Sequence, residues 1–329
     1  MLRILHDTNY DFIRWWKVMA AITIAFIVLG LGSLAIKPLN LSIEFTGGTL
    51  VQLEFTQPPD AAAIRSTLDQ SGIHGAEIQQ FGSNREFTVR AQDPAAVASQ
   101  SKGAESIAVT IERVLKQKFG GNNLKVMRTE AVGPRVGSEL KRGAIIAILL
   151  SFLITLVYLS IRFEWRFATA AVIATSHDVF TTIAFLKLMH LEISLTVVAG
   201  LLTVLGYSLN DTIIIFDRVR ENLRKGRKET LYETLNRSIN ETLPRSVLTH
   251  ATVFAATLSL LIFAGEVIRP FAWVMAFGVV TGTFSSIYVA APVLLWIERK
   301  WPRRTVARQS SSTATPTSRT RPSPATATR

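Results

Sequence analysis

The 329-residue chain contains no cysteine. That absence excludes disulfides, thiolate zinc sites and cysteine nucleophiles, and it is compatible with an oxidising compartment. No P-loop, no Rossmann fingerprint and no nucleophile elbow occurs, so any ATP hydrolysis would have to come from another chain, and no enzymatic activity is expected. The five histidines, His6, His74, His177, His190 and His250, show no ligand spacing, so neither a metal nor another cofactor is expected. Charge inside the apolar stretches is also scarce.

What the chain has in abundance is apolar sequence: 48% of residues are hydrophobic and the mean hydropathy is +0.29. The apolar residues gather in blocks of about 20, the length that crosses roughly 30 Å of hydrocarbon. Spans are expected at 18–36, 143–161, 167–188, 193–216, 246–265 and 271–297, the last long enough to tilt. The first block follows Arg3, Arg14 and Lys17 as a signal peptide would. Its length and the lack of a small-x-small cleavage pattern argue for a retained anchor.

The net charge of +12 would suggest nucleic acid in a soluble chain. Here much of the excess flanks the apolar blocks, at Arg14 and Lys17, Arg162 and Arg166, Arg218 to Lys228, and Arg299 to Arg304. The opposite ends are sparse, so positive-inside puts both termini in the cytoplasm and residues 37–142 outside, with no nucleic-acid partner. All six tryptophans fall at or near a span end, as an interfacial belt requires.

The outer domain, 37–142, reads as β-α-β-β-α-β, the split βαβ or ferredoxin-like order. A strand or hairpin at 41–56 alternates through Ile43, Phe45, Leu50, Leu53 and Phe55 and is broken at Gly47-Gly48. A helix at 60–70 starts at a Pro-Pro-Asp cap. Strands follow at 76–82 and 86–91, then an amphipathic helix at 104–119 and a last strand from Leu124 to Val132. Residues 229–243 place Leu231, Leu235, Ile239 and Leu243 four apart. That stripe suits a helix on the cytoplasmic surface, with Pro244 breaking it before span five. The tail, 298–329, is rich in Ser, Thr, Pro, Ala and Arg from Ser310 and is expected to be largely disordered.

An ionisable residue inside a span costs at least about 2.5–3.5 kcal/mol at the bilayer centre unless paired or wet. Three places stand out. Asp211 lies in span four, with Tyr207, Ser208 and Asn210 near it, and Ser208 and Asp211 share a face at i, i+3. It is either a proton-carrying carboxylate or a structural aspartate bonded to a neighbouring helix. Arg245, at the mouth of span five and at similar depth, either pairs with Asp211 or snorkels to the headgroups. His177-Asp178 lies near the middle of span three; neighbours on a helix point about 100° apart, and Asp178 is expected to face the bundle interior. Gly278 and Gly282 form a GxxxG packing signal in span six, and Gly200 and Gly206 in span four are expected to act similarly.

These residues sit in longer motifs: IEFTGGT at 43–49, VGPRVG at 132–137, His177-Asp178, GYSLNDTIIIFDRVREN at 206–222, TLPR at 242–245 and GTFSSIYVA at 282–290. Over about residues 10–300 the chain resembles the SecD/SecF family of protein-export membrane proteins, in its SecF pattern, within the resistance-nodulation-division superfamily. The resemblance implies a ferredoxin-like outer domain and a proton relay at Asp211 and Arg245. It also implies an accessory role in the Sec translocase of the inner membrane, driven by the proton-motive force after SecA-driven insertion. SecD is the implied heterodimer partner, with SecYEG, the unfolded exported polypeptide and protons, and YajC as a further candidate. Two other readings stand beside it: half of a proton-coupled exporter for small molecules or lipids, and a membrane scaffold without ion coupling.

Overall fold

The computed structural model describes residues 8–91, 102–225, 229–265 and 267–302, and only the backbone of 102–106. Arg227, Lys228 and the tail beyond 302 lie outside the described residues. Six helices are long and apolar enough to cross a membrane: span one, Ile13–Ala35; span two, Pro134–Arg162; span three, Trp165–Leu188; span four, Leu195–Arg224; span five, Leu231–Phe263; and span six, Arg269–Lys300. They alternate in direction, so the basic residues that follow spans two, four and six share one end of the bundle. The sheet domain, inserted between spans one and two, sits at the other.

That domain has strands β1 (Gly48–Phe55), β2 (Glu77–Gln80), β3 (Glu86–Ala91) and β4 (Leu124–Val132), and helices α1 (Ala61–Gln70) and α2 (Lys102–Phe119). The sheet is antiparallel in the order β2-β3-β1-β4. Period-two alternation decides its two faces. Val51, Leu53, Phe55, Phe87 and Val89 point to the helices and pack on Ile64, Leu68, Ile111 and Leu115. The residues between them, including Leu50, Gln52, Thr88 and Arg90, look towards the bundle. Asp60 caps α1 by accepting from the Ala62 N–H at 3.0 Å.

Three expectations change. Residues 43–46 form one helical turn, not strand, and β1 starts at Gly48. Four residues carry the same apolar alternation in either form, and the turn buries both Ile43 and Phe45. Gly47 then adopts φ 75°, where a Cβ would stand 3.0 Å from Pro134 Cα; a Cβ on Gly137 would stand 3.0 Å from the Gly47 nitrogen. The glycine pair and the Val-Gly-Pro-Arg-Val-Gly stretch therefore make one close backbone contact.

Span five is a continuous helix through Pro244, without a separate surface helix. Leu235 and Ile239 of its leading stripe are buried in the bundle core. Side chains engage carbonyls of the preceding turns: Thr242 Oγ1 donates to Ser238 O at 2.9 Å, and Asn240 Nδ2 to Asn236 O at 2.9 Å. Buried among neighbours, such a helix tolerates proline. The third change is at Gly206: no neighbouring atom lies within 4 Å of a Cβ built there, so unlike Gly200 it is not a packing glycine.

The domain is fastened to the start of span four. Leu41 pairs with Ile193 in a short parallel bridge. Glu44 accepts from the Leu195 N–H at 2.6 Å, placing a carboxylate at the positive end of span four. Arg90 on β3 donates to Leu41 O at 3.2 Å and forms ion pairs with Glu77 and Glu192.

Candidate functional site

Span four is also the helix that carries Ser208 and Asp211. Its approach to span six is set by glycine: a Cβ on Gly278 would lie 2.2 Å from Val204 Cγ2, and one on Gly282 3.1 Å from Ser208 Cβ. Both glycines of the GxxxG pair thus face span four, and they bring its polar side chains against Ser285 and Ser286. At Ser286 span six passes into a single π-helical stretch, Ser286–Ala290. Such local widenings recur at functional positions because they re-aim side chains.

Two buried carboxylates occupy this contact. Asp178 is fully buried. Its Oδ2 accepts from Ser208 Oγ at 2.5 Å and from Ser285 Oγ at 2.7 Å, joining spans three, four and six. His177 turns aside to stack on Phe284, while its Nδ1 stays 3.2 Å from Asp178 Oδ1. Asp211, 2% exposed, accepts from Ser246 Oγ of span five. Ser286 Oγ donates to Gly282 O at 3.0 Å and lies 2.8 Å from Oγ1 of Thr212, the residue after Asp211. The second oxygen of Asp211 is buried without a partner among the described residues. Serine hydroxyls of spans four and six thus hold Asp178, and one of span five holds Asp211.

Arg245 is not at Asp211. Adjacent helical residues diverge by about 100°, and packing turns Ser246 inward and Arg245 to the exposed side. There Arg245 lines an open cleft of about 460 Å³ with Asp217, Arg218 and Glu241, at the bundle end away from the sheet domain. Asn210 is exposed as well. It belongs to an uncovered stripe on span four, Thr203, Gly206, Asn210 and Asp217, whereas Ser208 and Asp211 face inward. Sequence reasoning missed Ser246, His250, Thr212, Ser285 and Ser286. The double serine inside an apolar span, and His250 one turn from Ser246, were the available signals.

The arrangement can hold a proton on either aspartate at membrane depth, each beside hydroxyls that both donate and accept.

The family described as protein export membrane protein SecD/SecF, C-terminal, matches residues 110–300, and the SecD/SecF GG motif matches 32–59. The protein translocase subunit SecF of Gemmatimonas aurantiaca is 62% identical over 92% of this chain and 91% of its own length. That of Vibrio alginolyticus is 40% identical over 88% and 90%. The crystal structure of SecDF from Thermus thermophilus, called a translocon-associated membrane protein, superposes with a TM-score of 0.80 at 33% identity. It covers 91% of this chain, which spans 40% of the SecDF chain.

Proposed function

Because the chain belongs to the SecD/SecF family of protein-export membrane proteins, we propose that it is the SecF-type accessory subunit of the Sec translocase, working with SecD to promote export on the proton-motive force. The observation that carries the energy-coupling part is Asp211: a buried carboxylate held by the Ser246 hydroxyl, with one oxygen unpartnered among the described residues, while Arg245 lines a cleft one turn or more nearer the basic end of the bundle. In this reading Asp211 and Arg245 form the relay, and Asp178 with Ser208 extends it.

The basic ends face the cytoplasm and the sheet domain faces outward from the inner membrane. SecD is the partner that covers the stripe through Thr203, Gly206 and Asn210, since polar groups are costly against lipid. SecA and SecYEG deliver the unfolded chain, with YajC as an accessory. Moving one charge through 100 mV supplies about 2.3 kcal/mol. That biases an equilibrium tens-fold, which suits many small cycles better than one stroke. The cleft between sheet and bundle, about 140 Å³, is smaller than the roughly 300–1,000 Å³ of small-molecule sites. This disfavours a small-molecule exporter with its pocket in the outer domain.

The test is Asp211→Asn, which keeps an oxygen for Ser246 but cannot carry the proton. Export of a secreted protein into vesicles, with and without a proton gradient, is expected to lose its gradient-dependent acceleration. Assembly with SecD together with wild-type export under full gradient would sink the relay.

A further inference from the structure

Span five brings a second ionisable group to Asp211. His250 lies one turn beyond Ser246, on the side of the sheet domain, and is 8% exposed. Its Nδ1 is 2.6 Å from the Ser246 carbonyl oxygen. A carbonyl only accepts, so Nδ1 carries a hydrogen and Nε2 is the nitrogen that gains or loses one. Nε2 is buried without a partner among the described residues, as Asp211 Oδ2 is. The two groups lie within electrostatic reach of each other. Ser246 holds both: its carbonyl fixes the imidazole and its hydroxyl fixes the carboxylate. Tyr207 meets the ring edge-on at 5.1 Å and is itself anchored to Thr249 O. Two orphaned polar atoms in one buried neighbourhood ask for a reason, because such atoms are rare in folded proteins.

We propose that His250 is a second proton-holding residue of the relay, receiving a proton from the side of the sheet domain and handing it to Asp211. The inference rests on Asp211 being a proton carrier. Direction follows from the helices. Span five runs from the Arg245 end towards the sheet domain, so His250, five residues on, lies about 7 Å nearer the domain than Arg245. In the step, the Nε2–H bond of the imidazolium breaks and an O–H bond forms at Asp211 Oδ2. A neutral ring and a neutral acid remain. The Nδ1–H stays on the Ser246 carbonyl throughout, so no ring flip is needed. Asp211 then releases its proton towards the Arg245 cleft, and His250 is reloaded. The ionisable groups facing the ring from span four are Asp211 and Tyr207; span six brings only the uncharged Ser286, bonded to Gly282 O and close to Thr212.

The experiment uses the SecD complex in vesicles, with proton flux read by an internal pH dye. The pH on the domain side is varied, and wild-type flux is expected to depend on it. His250→Gln keeps an amide for the Ser246 carbonyl but holds no proton, and flux should fall by about tenfold or more with its pH dependence flattened. His250→Ala should match it, and added imidazole should restore part of the flux, which a merely structural role would not allow. Co-purification with SecD checks assembly. Wild-type flux and pH profile in His250→Gln, beside an inactive Asp211→Asn, overturns this proposal and leaves the relay standing. A uniformly scaled profile that imidazole does not rescue overturns it too. An active Asp211→Asn overturns both.

Discussion

Gly278 of span six and Val204 of span four touch so closely that the glycine position admits no side chain: a Cβ would lie 2.2 Å and 2.6 Å from the two valine methyls. Valine has one strongly preferred rotamer in a helix, so those methyls cannot swing aside. Gly278→Ala is expected to lower stability by about 1–3 kcal/mol, the usual cost of overpacking. Adding Val204→Ala should recover most of it. Thermal unfolding in detergent checks both; an unchanged midpoint in the single variant would refute the contact.

Asp178 is expected to separate folding from function. Asp178→Asn retains an oxygen for Ser208 and Ser285, so the variant should assemble with SecD and melt near wild type, yet lose most gradient-driven export. Asp178→Ala leaves both serine hydroxyls without their acceptor and should cost about 1–3 kcal/mol of stability as well. Equal export by wild type and Asp178→Asn would make the residue purely structural.

The junction between sheet and bundle should respond to pH through Glu192. Burial pushes its carboxyl above the ordinary glutamate value of 4.5; the attraction of Arg90 opposes this, and Glu44, Glu77 and Glu130 add to it. A docked Glu192 therefore binds its proton more tightly than an undocked one. Docking is relatively strongest below the ordinary value and weakens as pH rises through the raised one. Acid on the domain side tightens this junction, although a glance at the Arg90 ion pair suggests the reverse. Spin labels on a cysteine pair spanning the junction, introduced into a chain with no cysteine of its own, should report shorter distances at lower pH. Glu192→Gln, which keeps an acceptor for Arg90, should abolish that dependence.

Much of this was legible in the sequence because burial in a bilayer or a sheet leaves a periodic record. Six apolar blocks gave six spans, and alternation gave a sheet with one face on its helices. Asp178 and Asp211 stood out as costly charges. Their partners did not. Serine and threonine bond their own preceding turns throughout these spans, as Thr175 and Ser176 do, so a hydroxyl that serves a carboxylate on another helix looks no different. The choice between Arg245 and Ser246 as the neighbour of Asp211 is a matter of helix rotation, which only the packing of span five against its neighbours decides. Pro244 misled because a proline packed among neighbouring helices can be carried inside one continuous helix. Ile43 and Phe45 misled because four residues are too few to distinguish two periods.

A hydroxyl has a single hydrogen to point. Ser208 and Ser285 aim theirs at one oxygen of Asp178, which holds only while that oxygen is free to accept twice. When Asp178 takes up a proton there, at least one serine must rotate about its Cβ–Oγ bond and turn its hydrogen elsewhere. The charge on a sealed carboxylate is thereby written into the heading of a rotor on a different helix, a compass needle that swings with no backbone displacement at all. The first consequence of protonation in this bundle can therefore be a change of direction before it is a change of shape.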